Sequence, residues 1–133
     1  MKMLKPEKMK YRNLGNCGLK VSVLSFGTFT NSEDTVEQMA DLVRTCIENG
    51  INYFDTSLAY VEGRTASIMG EAFNLVKVPR EQIVISTKIF TSPDPFVNSK
   101  STLCRKHIRE NIKKTLKALN MDYIDLALAH TFD

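Results

Sequence analysis

Short apolar runs alternate with helical periods along this chain, and each later apolar run gives way to a polar residue of a different chemical type. Residues 51–54 read as a strand leading to Asp55, residues 83–87 as a strand leading to Lys88, and residues 124–128 as a strand followed by His130. Near-continuous apolar strands separated by amphipathic helices point to a parallel sheet with helices covering it, since each crossover helix buries a strand face. Such crossovers are right-handed almost without exception. Periodicity alone leaves both an open sheet and an arc of a barrel standing. The polar residues choose between them, because in β/α barrels the chemistry is built at the C-terminal strand ends. Asp55, Lys88 and His130 each lie at or just past such an end.

The remaining elements follow from local pattern. Strand-like residues 10–14 and 19–21 flank Gly15-Asn16-Cys17-Gly18, a pair of glycines suited to a tight reversal, so a small N-terminal hairpin is expected. Residues 23–26 read as a separate buried strand stopped by Gly27. The clearest helix covers residues 34–49, with Val36, Met39, Ala40, Val43 and Ile47 on one face. Asp34 and Glu37 resemble a capping box there, and Gly50 supplies the stop. A second helix is expected over residues 65–75 with Ile68, Met69 and Phe73 inward. A polar loop over residues 89–103, with Pro93 and Pro95, leads to a third helix over residues 105–119. Its apolar stripe is Ile108, Ile112, Leu116 and Leu119; Arg105, Lys106, Arg109, Lys113, Lys114 and Lys117 form a solvated face.

Composition narrows the function classes. The chain has 133 residues, enough for one ordinary domain, and its formal charge of +3 is too small to argue for a nucleic-acid partner. No apolar run approaches the roughly 18 to 20 residues that a membrane span needs, so direct membrane insertion is not expected. The opening MKMLKPEKMK is basic but no hydrophobic segment follows it, so it does not read as a secretory signal. Cys17, Cys46 and Cys104 match neither a disulfide framework nor a zinc pattern, which favours a reducing, cytoplasmic setting.

Reducing a carbonyl explains why these polar types would gather. Hydride arrival makes an alkoxide, which needs a proton donor beside it and donors to stabilise it. A tyrosine hydroxyl can donate, although its unperturbed pKa of about 10 is high for the task. A neighbouring ammonium favours the phenolate, and a carboxylate in turn holds that ammonium in place. A histidine can orient the carbonyl oxygen. Tyr60, Lys88, Asp55 and His130 supply one of each. Singly, each has an ordinary structural reading as a turn cap, surface amine, loop anchor or packed imidazole. Their arrival from successive strand ends and one adjoining loop favours chemistry.

Four segments also carry a family resemblance. GINYFDTSLAYVEGRTASIMGEAF resembles the aldo-keto reductase signature, in which Asp and Tyr stand five apart before a Gly-rich helix entry. ISTKIF resembles the strand bearing that family's lysine, DYIDLALAHTFD the strand ending in its histidine, and GLKVSVLSFGTF its first strand. The GTF, YVEGR, TKIF and LCRKHI segments are most similar to the group containing voltage-gated potassium channel beta subunits. Three positions depart from the pattern. His130 stands where that group often has Asn, Ala66 replaces an acidic residue common after the Gly-Arg pair, and Thr131-Phe132 replaces Arg-Pro. The resemblance implies the N-terminal half of a TIM-type (β/α)8 barrel, about four β/α units behind a hairpin. Residues 1–8 would be a basic extension and residues 9–133 a partial reductase domain. It further implies an NADPH-dependent oxidoreductase acting on a small carbonyl substrate. Tyr60 would be acid/base, Lys88 and Asp55 would tune it, and His130 would stand at the carbonyl. Gly27, Thr28 and Phe29, together with Asp55, would lie at the nicotinamide end of the cofactor.

A full barrel needs eight strands and typically about 250 residues. The expectation is therefore a fragment or truncated product of a reductase. A channel-associated beta subunit with a redox-sensing barrel is the alternative. A third arrangement has the chain self-associating through its open sheet edges, which would give a stable dimer in sedimentation. In the resembled family the second half grips the adenosine phosphate, so this chain alone is expected to bind NADPH weakly or not at all. Fluorescence titration checks this, and submicromolar affinity would contradict it.

Overall fold

The computed structural model describes residues 4–29, 35–92 and 95–133. The expected hairpin is present: β1 (Tyr11–Asn13) pairs antiparallel with β2 (Lys20–Ser22), Tyr11 opposite Ser22. It docks against the turn that precedes the second strand of the main sheet. Asn52 accepts from the Ser22 amide at 2.8 Å and donates to the Lys20 carbonyl at 3.0 Å, while Tyr11 donates to the Gly50 carbonyl at 2.5 Å. Gly50 adopts φ +80°, and a Cβ there would stand 2.7 Å from the Lys5 carbonyl oxygen. Only glycine suits so close a left-handed approach.

The main sheet is parallel, in the order β3 (Ser25–Gly27), β4 (Tyr53–Ser57), β5 (Val84–Ile89), β6 (Leu126–Ala129). Helices α1 (Val36–Glu48), α2 (Arg64–Val76) and α3 (Arg105–Leu119) connect successive strands. Strand order thus follows chain order, as in an arc of a β/α barrel, and among the described residues β3 and β6 each have one neighbour. All four strands end later than the apolar runs suggest. β4 continues through Asp55, Thr56 and Ser57, and β5 through Lys88, because ladder hydrogen bonds do not require apolar side chains. Asp55 and Lys88 therefore sit within the ladder rather than beyond it.

Strand alternation gives the sheet two faces. Phe54 and Ile85 point to the helices and join Met39, Ala40, Val43, Ile47, Met69 and Phe73 in one buried core. Phe54 meets Phe73 edge-on with centroids 5.0 Å apart. Asp55, Ser86 and Lys88 consequently share the opposite face. Cys46 lies in the helix-side core, where burial pushes its thiol up to about 11. No helix among the described residues is long and apolar enough to cross a membrane.

Two helix expectations need correction. The capping box of α1 is Thr35 with Gln38, not Asp34 with Glu37: the Thr35 amide donates to Gln38 Oε1 at 2.8 Å, and its hydroxyl accepts from the Gln38 amide at 3.3 Å. The same box pattern occurs one residue later, and Asp34, like Lys2 and Pro93, lies outside the described residues. On α3 the fully buried stripe is His107, Asn111, Thr115 and Leu119, while Ile108, Ile112 and Leu116 are only half-buried. The isoleucine side of the helix instead borders an apolar groove with Ile89, Leu103, Ala127 and Leu128 along the edge strand β6.

Two contacts unseen in the sequence lock the outer units together. Arg80 clamps the start of β6: its guanidinium donates to Asp125 at 2.7 Å and to the Tyr123 carbonyl at 3.0 Å, and lies 3.8 Å from the Tyr123 ring centroid. Asp125 also accepts from the Ile85 amide at 2.8 Å. On α2, Gly70 lets the C-terminal end of α3 approach so closely that a Cβ would stand 2.4 Å from the Leu119 carbonyl oxygen. Helix propensity alone makes Gly→Ala stabilising by about 1 kcal/mol. The collision with backbone reverses that sign, so Gly70→Ala is expected to destabilise the chain by about 1–3 kcal/mol. Chemical denaturation reads this directly, and a more stable variant would contradict the packing described.

Candidate active site

The chemistry-bearing residues meet because of register. In the β4–β5 ladder Asp55 stands opposite Ser86, and Ser57 opposite Lys88. Lys88 is thus two residues beyond the direct partner of Asp55 and on the same face, a diagonal that a long side chain can bridge. It does so: the Lys88 ammonium forms an ion pair with Asp55 Oδ2. The other carboxylate oxygen accepts from Ser86 Oγ at 2.5 Å. Lys88 Nζ also donates to the Tyr60 hydroxyl oxygen at 2.9 Å. Both charged side chains are about four-fifths buried, with 21% and 22% of their surface exposed.

Tyr60 reaches this point from a tight turn. It opens the tight turn Tyr60–Gly63 that joins the end of β4 to α2, and Thr65 Oγ1 donates to its carbonyl at 3.3 Å. Two further aromatic rings flank the phenol. Phe29, 71% exposed, meets it edge-on with centroids 5.2 Å apart, and His130 does so at 6.1 Å. His130 lies one residue past β6, and its backbone amide donates to the Ile89 carbonyl at 2.9 Å. The four expected residues Asp55, Tyr60, Lys88 and His130 therefore form one cluster at the C-terminal strand ends.

The expected cofactor residues divide. Gly27 pairs with Asp55 in the β3–β4 ladder, and open space lies where a Cβ would sit. Phe29 stands at the cluster. Thr28 does not present its hydroxyl there: the side chain is buried and bonded to Thr56 Oγ1 at 3.0 Å, while its amide donates to the Asp55 carbonyl at 3.1 Å. Ser86 and Ser57 were not singled out in the sequence. Ser57 Oγ donates to the Lys88 carbonyl at 3.3 Å and accepts from the Ala59 amide at 3.2 Å, bracing the turn that delivers Tyr60. The signal available for Ser86 was its place two residues before Lys88 on a strand, hence on the same face.

Burial alone would depress the Lys88 ammonium. Hydrogen bonds to Asp55 and Tyr60, with Coulomb attraction to both, outweigh that and hold it above its ordinary value of 10.5.

A parallel β/α arc carrying a carboxylate, ammonium and phenol at its C-terminal strand ends defines a class: part of a (β/α)8 barrel with a polar cluster at the end where such barrels build their sites. A sequence model described as the aldo/keto reductase family matches residues 23–133, and the chain belongs to that family. It is 46% identical over 94% of its length to a probable voltage-gated potassium channel subunit beta of Arabidopsis thaliana, covering 38% of that protein. It is 42% identical over the same share to a probable voltage-gated potassium channel subunit beta of Oryza sativa subsp. japonica, again covering 38%. A solved aldo-keto reductase from Bacillus halodurans, in its holo form, superposes with a TM-score of 0.75 at 32% identity. That match covers 90% of this chain and 39% of the reductase. The chain thus spans less than half the length of these relatives.

The raised Lys88 value has a signed consequence. An ammonium whose folded pKa exceeds its unfolded one adds stability that is fully present below the unfolded value and is lost as pH rises through the folded value. Asp55→Asn removes the carboxylate and leaves burial opposed by Tyr60 alone. The Lys88 pKa is then expected to fall, as followed by NMR titration of its side-chain nitrogen. An unchanged or higher value would contradict the pairing.

Proposed function

We propose that this chain carries the acid/base set of an NADPH-dependent reductase that converts aldehydes and ketones to alcohols, with Tyr60 as the proton donor. The observation that carries this reading is the 2.9 Å hydrogen bond from Lys88 Nζ to the Tyr60 hydroxyl, with Asp55 as the second partner of the same ammonium. Bound NADPH would supply the hydride to the carbonyl carbon. As the carbonyl oxygen gains charge, Tyr60 transfers its phenolic proton to that oxygen, so one O–H bond forms while another breaks. The Lys88 ammonium stabilises the resulting phenolate until solvent returns the proton. Asp55 keeps the ammonium charged and in place. His130, whose ring lies beside that of Tyr60, would donate to the same carbonyl oxygen.

The nicotinamide end of the cofactor is supported by the open space at Gly27 and the exposed Phe29 ring against Tyr60. Gly27, Phe29 and Asp55 would line it, with Thr28 contributing through its backbone. The cysteines Cys17, Cys46 and Cys104 are all free, which supports a cytoplasmic setting. The names of the Arabidopsis and rice relatives support a second reading, in which the barrel docks on a membrane channel and senses redox state through its cofactor. Binding to a channel's cytoplasmic domain without any turnover of aldehydes would favour it.

The direct test is a completed barrel in which this chain continues, after Asp133, into the C-terminal remainder of the Arabidopsis relative. NADPH oxidation with an aromatic aldehyde is followed by absorbance. Tyr60→Phe is expected to lower kcat by about 10²–10⁴-fold. A Tyr60→Phe enzyme within threefold of its parent would overturn the assignment.

A further inference from the structure

The turn that delivers Tyr60 is built against the preferences of its own residues. Val61 adopts φ 46°, ψ 52° and Glu62 φ 54°, ψ 32°, and Gly63 follows at φ 85°. These are three successive left-handed residues, and only the last is glycine. For a β-branched residue such as Val61 this conformation is a genuine outlier, because its Cβ crowds the adjoining carbonyl. Lys77 and Asn120 are also left-handed, but they close helices α2 and α3, where that conformation is ordinary and their amides bond back to the last turn, and Ser101, at φ 59°, stands singly in the loop before α3. Residues 61 and 62 close no helix. They stand directly between Tyr60 and Arg64, the first residue of α2.

Strain of this kind persists only where the surroundings over-determine it. Here they do. On one side Ser57 braces the end of β4 through the Lys88 carbonyl and the Ala59 amide. On the other, Thr65, fully buried at the start of α2, holds the Tyr60 carbonyl, and Ser67 Oγ donates to the Gly63 carbonyl at 3.4 Å. A Cβ on Gly63 would stand 3.2 Å from the Leu58 side chain, so the turn also fits tightly against its own strand. Both ends are fixed, and the chain must reverse within three residues. A right-handed or extended conformation at residue 61 or 62 would carry the Tyr60 Cα away from the strand ends. The hydroxyl would leave Lys88 with it.

We propose that Val61 and Glu62 are positioning residues for Tyr60, acting through their left-handed backbone rather than their side chains to hold the phenol against Lys88. Val61 is 43% exposed, consistent with a side chain that contributes little packing of its own. The proposal rests on the carbonyl-reductase reading only for its effect on rate; the effect on geometry stands apart from it.

The test separates the two. Val61→Gly and Glu62→Gly accept positive φ freely, whereas Glu62→Pro fixes φ near −65° and cannot. NMR contacts between the Tyr60 ring and the Lys88 side chain, measured on the 133-residue chain, report the geometry without reference to activity. Both glycine variants are expected to keep those contacts, and Val61→Gly to unfold at a temperature no lower than the parent. Glu62→Pro is expected to lose the contacts while α2 stays helical. In the completed barrel the glycine variants should keep kcat within about threefold, and Glu62→Pro should lower kcat at least 100-fold with the KM for NADPH little changed, since only a proton-donor effect is removed. Should Glu62→Pro fail to fold, Glu62→Ile, which disfavours positive φ without forbidding it, is expected to weaken the same contacts. Loss of the contacts in the glycine variants, their retention in a folded Glu62→Pro, or their undiminished retention in Glu62→Ile where Glu62→Pro does not fold, would overturn the proposal. If the contacts follow the backbone but no variant changes kcat, the positioning role stands and the proton-donor role of Tyr60 falls.

Discussion

The register of β4 on β5 is the constraint from which the site follows. With Asp55 opposite Ser86, the carboxylate has one hydroxyl beside it and one ammonium a diagonal step away. A slip of one residue would turn Lys88 to the helix side, into the layer occupied by Phe54, Ile85 and Phe73. There the ammonium would be buried without its partner, a far larger penalty than any hydrogen bond lost from the ladder. The hydrophobic core and the polar cluster thus enforce the same register from opposite faces of the sheet.

What holds that register is packing at the helix layer and pinning at the ends. α2 is the centre of the layer. It touches α1 on one side and, through the glycine notch at Gly70, brings the end of α3 into backbone contact on the other. The N-terminal hairpin fixes the entry to β4 through Asn52, and Arg80 with Asp125 fixes the entry to β6. The polar cluster itself is braced at the opposite, C-terminal ends, where Ser57 and Thr65 hold the turn carrying Tyr60. Stability and chemistry therefore occupy different ends of the same strands, the division expected of a β/α barrel.

Much of this was legible in the sequence because it rests on period and residue type. The alternation of apolar runs with amphipathic helices gave the parallel order, and Asp55, Lys88 and His130 were identifiable by their places after those runs, with Tyr60 in the adjoining loop. Strand ends were less legible. Asp55, Thr56, Ser57 and Lys88 are polar, yet they extend the ladders, since backbone pairing is indifferent to the side chain. The buried face of α3 was misplaced by one residue: apolar spacing selects Ile108 and Ile112, but the packing of the helix against α2 and β5 buries His107 and Asn111. Contacts between distant residues left no local mark. Nothing in the vicinity of Gly70 announces Leu119, nothing near Arg80 announces Asp125, and no pattern predicts that a valine would be held left-handed beside Tyr60.

Asp55 and Lys88 act as one unit assembled by strand register. A double-mutant cycle on stability, with Asp55→Asn, Lys88→Met and the pair together, measures that coupling most directly. A favourable coupling of about 1 kcal/mol or more is expected near neutral pH, because each single change leaves a largely buried charge without its counter-charge while the double change leaves none. A coupling indistinguishable from zero would mean that the two side chains do not meet in the folded chain, and would contradict the site described.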